Sequence, residues 1–84
     1  MKGARQMASK SLMEMRPGER GKVCKVGGKG NIRRRLLDMG LVSGTEVAVE
    51  RVAPLGDPIE IRLKGYNLSL RKEEAASVEV EVSR

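Results

Sequence analysis

Ile59-Glu60-Ile61-Arg62-Leu63-Lys64 alternates apolar and charged side chains without a break, the two-residue period of a strand with one buried face and one wet face. The segment before it, Pro54-Leu55-Gly56-Asp57-Pro58, has the composition of a hairpin loop, and Gly65 to Asn67 turns the chain after it. Outward on the N-terminal side, Val47 and Val49 mark a strand over about 45–53, and the lost alternation before Val52 predicts a bulge at Arg51. On the C-terminal side, Leu68 and Leu70 continue a further strand, Lys72 to Ala76 give one helical turn, and Val78, Val80 and Val82 alternate with Glu79 and Glu81 in a last strand.

The same reading runs back toward the start. A first strand covers about 20–26, with Cys24 and Val26 on one face and Val23 and Lys25 on the other. After the loop Gly27-Gly28-Lys29-Gly30, Asn31 is placed to cap a helix over about 32–39, in which Ile32, Leu36 and Met39 fall at helical spacing and Gly40 supplies the left-handed stop. Residues 1–11 are basic, without an acid or an apolar period, and read as a mobile basic tail ahead of one domain over 12–84. The sum is mainly β: about five antiparallel strands, a short helix after the first and a one-turn helix before the last. Strands so short hide their edges best by curling into a small SH3-like barrel. Its expected core is Val23 or Cys24, Ile32, Leu36, Val47, Val49, Ile59, Ile61, Leu63, Leu68, Leu70, Val78 and Val80.

Composition narrows function by exclusion. At 84 residues there is room for one small domain and none for a deep, dry catalytic cavity. The chain has no His, Trp or Phe, one Cys and one Tyr, so the groups from which most catalytic and transition-metal sites are built are missing. No catalytic residue, no metal ligand and no required cofactor are expected, and carboxylates alone permit at most weak Fe(II) association. Cys24 reads as a small core hydrophobe rather than a thiolate ligand. The glycine loop at 27–30 lacks the length and the Lys-Ser/Thr end of a nucleotide-binding P-loop. A single Cys and the lack of a long apolar run point to a soluble protein of the reducing cytoplasm.

The net charge of +6 is polarised, with +9 in residues 1–35 and −3 in the remainder. Arg33, Arg34 and Arg35 fan over about 200° of a helix, so at least two of them face water. They are candidates for an acidic protein surface. Leu55 at the loop tip is a candidate for apolar contact, Leu41 after the helix stop reads equally as core or contact, and Tyr66 is a weaker candidate that reads as a turn residue with a wet hydroxyl. Binding of nucleic acid through the basic half is the competing reading, but Tyr66 alone is a poor stacking platform and no specific nucleic acid is expected.

Positions 33–81, RRRLLDMGLVSGTEVAVERVAPLGDPIEIRLKGYNLSLRKEEAASVEVE, resemble the FeoA domain. The matching features are the basic-Leu-Leu-x-Met-Gly-Leu helix exit, the small-Gly turn, the Gly-Asp-Pro hairpin, the Gly-x-x-Leu-x-Leu-Arg return and the Glu-Ala turn before the last strand. Leu12, Met15, Gly18, Gly21 and Val23 extend the likeness over about 12–82; Ser43 stands where a Pro is common. The resemblance implies an SH3-like barrel and a non-enzymatic accessory of bacterial ferrous iron uptake. It implies as partner the cytosolic GTP-binding part of a FeoB-like transporter, which would recruit the chain to the inner face of the cell membrane. The family label of transition metal ion binding comes with it. A similar domain ends iron- and manganese-dependent repressors, and an orphan metal-regulatory interaction module is the second implication; no DNA-binding helical domain precedes the match here, which favours the transport accessory. The oligomeric state stays open.

Overall fold

The computed structural model describes residues 9–83. Its elements in order are strand β1 (Ser9–Ser11), a 3-10 turn (Leu12–Glu14), strand β2 (Arg20–Val26), helix α1 (Gly30–Asp38), strands β3 (Glu46–Val52), β4 (Ile59–Leu63) and β5 (Tyr66–Leu70), helix α2 (Lys72–Ala76) and strand β6 (Val78–Val82). The strands form one open antiparallel sheet in the order β1-β6-β2-β3-β4-β5. Strands β2 to β6 and both helices deliver side chains to one core, so the sheet curls around it.

Among the described residues there are six strands where about five were expected. The extra one, β1, lies inside the supposed tail: Ser9, Lys10 and Ser11 pair with Glu81, Val80 and Glu79. Its short polar stretch has no apolar alternation to announce it, and the edge of β6 supplies the pairing instead. Residues 9–11 therefore belong to the sheet, and the reading of residues 1–8 lies outside the described residues. Lys10 also ties β1 to the next turn, its ammonium 3.1 and 3.2 Å from the two carboxylate oxygens of Glu19.

Two bulges set which side chains face inward. In β3, Val49 pairs with Ile61 and Arg51 with Glu60, so Glu50 is the additional residue and the expected bulge lies at Glu50–Arg51. In β2, Val23 pairs with Val80 and Lys25 with Glu79, leaving Cys24 without a partner position. This second bulge corrects the phase assumed for the first strand. Val23 is buried and Val26 half-buried, whereas Cys24 is exposed, with its thiol donating to the Glu79 carbonyl at 3.5 Å. A one-residue slip inverts faces, so Cys24 is no core residue. Gly21 lies where β2 and β6 approach closely; a Cβ there would strike the Glu81 carbonyl oxygen and a methyl of Val80.

The core consists of Leu12, Met15, Val23, Leu36, Leu41, Val47, Val49, Ile59, Ile61, Leu63, Leu70, Ala75, Val78 and Val80. Leu12, Met15, Leu41 and Ala75 are additions to the expected set, while Ile32 and Leu68 are only half-buried. The 3-10 turn and α2 pack on each other, which explains why the short apolar pair Leu12 and Met15 is fully enclosed.

Candidate functional site

Helix α1 begins at Gly30 with Lys29 as its N-cap residue, not at Ile32 with Asn31, and no side chain caps it. The three arginines near its middle have separate surroundings. Arg33 donates from Nε to the Val26 carbonyl at 3.3 Å, which anchors the helix to the end of β2. Arg35 reaches Glu74 of α2 at 3.5 Å. Arg34 makes no hydrogen bond or ion pair among the described residues and stands beside Leu37 and Asp38 on the outer face. The run thus divides into two structural cations and one that faces solvent without a partner.

Glu74 is the residue that sequence reasoning overlooked here. It is almost fully buried, and one carboxylate oxygen accepts from the Arg71 backbone N–H at 2.9 Å while the other faces Arg35. That N–H is among the unpaired donors of the first turn of α2, so the carboxylate caps its own helix and holds α1 at the same time. The signal is a Glu three residues after Arg71, within the one helical turn read over Lys72 to Ala76.

The exit of α1 explains the fate of Leu41. The Gly40 N–H bonds the Leu37 carbonyl at 3.0 Å and the Leu41 N–H bonds the Leu36 carbonyl at 3.1 Å, with Gly40 at φ +98°. This is the Schellman closure, whose last residue turns back onto the helix and packs near its final turn. Leu41 and Leu36 are both wholly buried in the same cluster. Leu41 is therefore a core residue and not a contact candidate. Tyr66 supports the same exit: its hydroxyl donates to the Met39 carbonyl at 2.8 Å. The ring is partly exposed but the hydroxyl is engaged by the helix end, which corrects the expectation of a wet hydroxyl.

Leu55 behaves otherwise. Its side chain is 90% exposed, yet the loop beneath it is tied down. Gly56 N–H bonds the Ala53 carbonyl at 2.7 Å and Ala53 N–H bonds the Pro58 carbonyl at 3.1 Å, closing a turn with Pro54 at its second position. A carboxylate oxygen of Asp57 accepts from the Lys72 N–H at 3.1 Å, so the loop also caps α2. The Asp57–Pro58 peptide bond is cis. The three hydrogen bonds hold an apolar side chain out on a braced support.

These candidates do not form one patch. Leu55 and Tyr66 flank opposite ends of β4, whose five residues span about 17 Å. Tyr66 sits at the C-terminal end of α1 and Arg33 at its attachment to β2. Among the described residues no three His, Cys, Asp or Glu side chains converge as a metal site. Cys24, exposed on β2, stands apart from any such group. One carboxylate is electrostatically shifted: Glu19 is held below the usual carboxylate range by the Arg16 backbone N–H and then by the Lys10 ammonium. Among the described residues no helix is long and apolar enough to cross a membrane.

With this geometry in place, the similarities are informative. The family model of the FeoA domain matches residues 10–82. The chain is 44% identical over 71 residues to the Fe(2+) transport protein A/Fe(2+) transporter FeoB fusion protein of Porphyromonas gingivalis; the match covers 84% of this chain and 8% of that protein. Among solved structures, the FeoA-like protein of Clostridium acetobutylicum is 43% identical, with a TM-score of 0.84 over 94% of this chain and 92% of that one. The FeoA of Stenotrophomonas maltophilia, described as an SH3 domain protein and solved with zinc, is 28% identical, with a TM-score of 0.77 over 88% of this chain and 95% of that one. Family, fold and the link to ferrous iron transport agree, and the chain belongs to the FeoA domain family.

Proposed function

We propose that this protein is a non-enzymatic, cytoplasmic accessory of ferrous iron uptake that acts by contact with the cytosolic GTP-binding part of a FeoB-like transporter. The observation that carries the reading is the fusion relative, in which a 44% identical segment is joined to a FeoB transporter in one polypeptide. Because the chain spans about 8% of that protein, the activity of the whole belongs to the proposal. Covalent joining supports association because it raises the effective concentration of two parts that work together.

The residues supply a mechanism of contact. Leu55 is the dehydrated anchor, presented on a loop already fixed at both ends, so little ordering entropy is lost on binding. Arg34, with the partly engaged Arg33 beside it, steers an acidic partner surface toward it. The chain requires no cofactor in this scheme and does no chemistry.

Titration of this chain with the soluble GTP-binding domain of the transporter, with and without GTP, is the decisive experiment. A complex is expected in which Leu55→Ala mainly speeds dissociation, by about tenfold, and Arg34→Glu mainly slows association and reduces its salt dependence. If no complex forms in either nucleotide state, the accessory role is overturned. Anaerobic calorimetry with Fe(II) checks the second part; a stoichiometric sub-micromolar site that is lost in Cys24→Ser would overturn it.

A further inference from the structure

The outer face of the sheet carries a cationic groove of about 490 Å³ whose lining includes Arg20, Lys22, Glu46, Ala48, Arg62 and Lys64. We propose that this groove, through Arg20 and Arg62 on either side of Ala48, docks an extended acidic segment of a partner protein. The surface is separate from Leu55 and from α1, and the inference does not depend on which protein supplies the segment.

Register places the two guanidinium groups. Arg20 pairs with Ala48 across β2 and β3, and Ala48 pairs with Arg62 across β3 and β4. Two inter-strand steps put their Cα atoms about 10 Å apart, with a methyl group as the only side chain between them. All three residues alternate with buried neighbours, Gly21, Val47, Val49, Ile61 and Leu63, and so point to the outer face. Any larger side chain at position 48 would fill the space over which the arginines converge.

The neighbouring charges set these two cations apart from Lys22. Lys22 lies between Glu81 of β6 and Glu46 of β3, and opposite charges at paired positions offset each other. Arg20 lies between Ser83, whose N–H bonds the Arg20 carbonyl, and Ala48, and makes no ion pair among the described residues. Arg62 faces Ala48 and Asn67, and its contact with Glu50, at 3.6 Å, is exposed and readily exchanged. Planar forks of this kind bind carboxylates in pairs of parallel hydrogen bonds.

The occupant follows from the alternation. A phosphodiester backbone carries charge at every repeat and would have to pass Glu46 and Glu50, and the groove has no aromatic side chain on which a base could stack. A peptide that spaces its carboxylates meets the two arginines and avoids the acids.

The test is a titration of the isotope-labelled chain, followed by amide NMR, with a blocked synthetic peptide of alternating glutamate and serine. Parallel arms use an oligothymidylate of equal charge and inorganic phosphate. The expected shifts centre on Arg20, Ala48 and Arg62. Arg20→Glu and Arg62→Glu should each weaken peptide binding about tenfold or more, and Lys29→Glu, exposed and outside the groove, less than about twofold. Ala48→Gln keeps the net charge and blocks the space, and should also weaken binding several-fold; its unchanged amide spectrum elsewhere would show that the sheet is intact. The proposal is overturned by absence of binding, by shifts spread over α1 and the other lysines, by an unaffected Ala48→Gln chain, or by oligothymidylate or phosphate binding as tightly as the peptide.

Discussion

Two loops of this protein have similar ingredients and opposite outcomes. The segment 40–44 follows α1 and contains Gly40 at φ +98° and Leu41; the segment 53–58 follows β3 and contains Gly56 at φ +84° and Leu55. Leu41 is wholly buried and Leu55 is 90% exposed. The difference lies in what the glycine does. At Gly40 it completes a helix stop whose hydrogen bonds reach back to Leu36 and Leu37, and that reversal carries the next side chain over the core. At Gly56 it closes a local turn whose backbone–backbone bonds stay within 53–58, and Leu55, at the turn's outer corner, is carried away from the core. Burial of a loop leucine is decided by whether the turn's hydrogen bonds fold it back onto an element of the core, not by its flanking composition.

Substitution of the leucines themselves should split the two loops most widely. Leu41→Ala should cost about 2–5 kcal/mol in chemical denaturation, whereas Leu55→Ala should stay within about 0.5 kcal/mol while impairing partner binding. Equal losses would end the distinction. A finer cut is made at the glycines. Gly56→Ala has open space for its methyl and should cost about 1 kcal/mol for the left-handed backbone alone. Gly40→Ala brings its methyl to 3.3 Å from the Tyr66 hydroxyl, the donor to Met39, and should cost about twice as much. Thermal or urea melts of the pair measure this directly.

The smallest effect concerns a third turn, held by charge. Glu19 accepts from the Arg16 N–H and from Lys10, and its carboxyl titrates below the usual 4.5. A lowered folded-state value means that the unfolded chain takes up the proton first as pH falls. The turn's contribution is thus complete above the usual carboxylate range and is lost as pH drops below 4.5 through the folded-state value. Glu19→Gln should accordingly lose less melting temperature than the parent chain on going from neutral pH to pH 3. The Lys10 contact is only partly buried, so the effect should be slight and reduced by salt.

The sheet was legible because its strands obey a simple period: Ile59, Ile61, Leu63 and Val78, Val80 all lie inward as their alternation requires. What escaped was whatever the period does not encode. The bulge that exposes Cys24 lies in a strand of mixed residues with no apolar run to reveal the slip. Strand β1 owes its existence to an edge made by residues some seventy positions later. Of the candidate contact residues, Leu55 was readable from its place at a loop tip, and Arg34 from the crowding of three arginines on one helix. For Leu41 the sequence left core and contact equally open, and the hydrogen-bond pattern decides for the core; Gly followed by an apolar residue after a helix is the written form of that closure. Arg20 and Arg62 lie forty-two positions apart and meet across Ala48 only through register, which no local pattern displays.

The position of β6 between β1 and β2 has a consequence for how the chain is made. Strands β2 to β5 form a meander of neighbours in sequence, which can pair as soon as they leave the ribosome. Strand β1 is synthesised before all of them and has no partner until residues 78–82 emerge. During translation the earliest strand waits for the latest, and the core that holds Leu12 and Met15 under α2 closes only at that point. Vectorial synthesis thus yields a half-built sheet with an open flank, and Gly21, over which β6 passes, is where the final strand must be admitted.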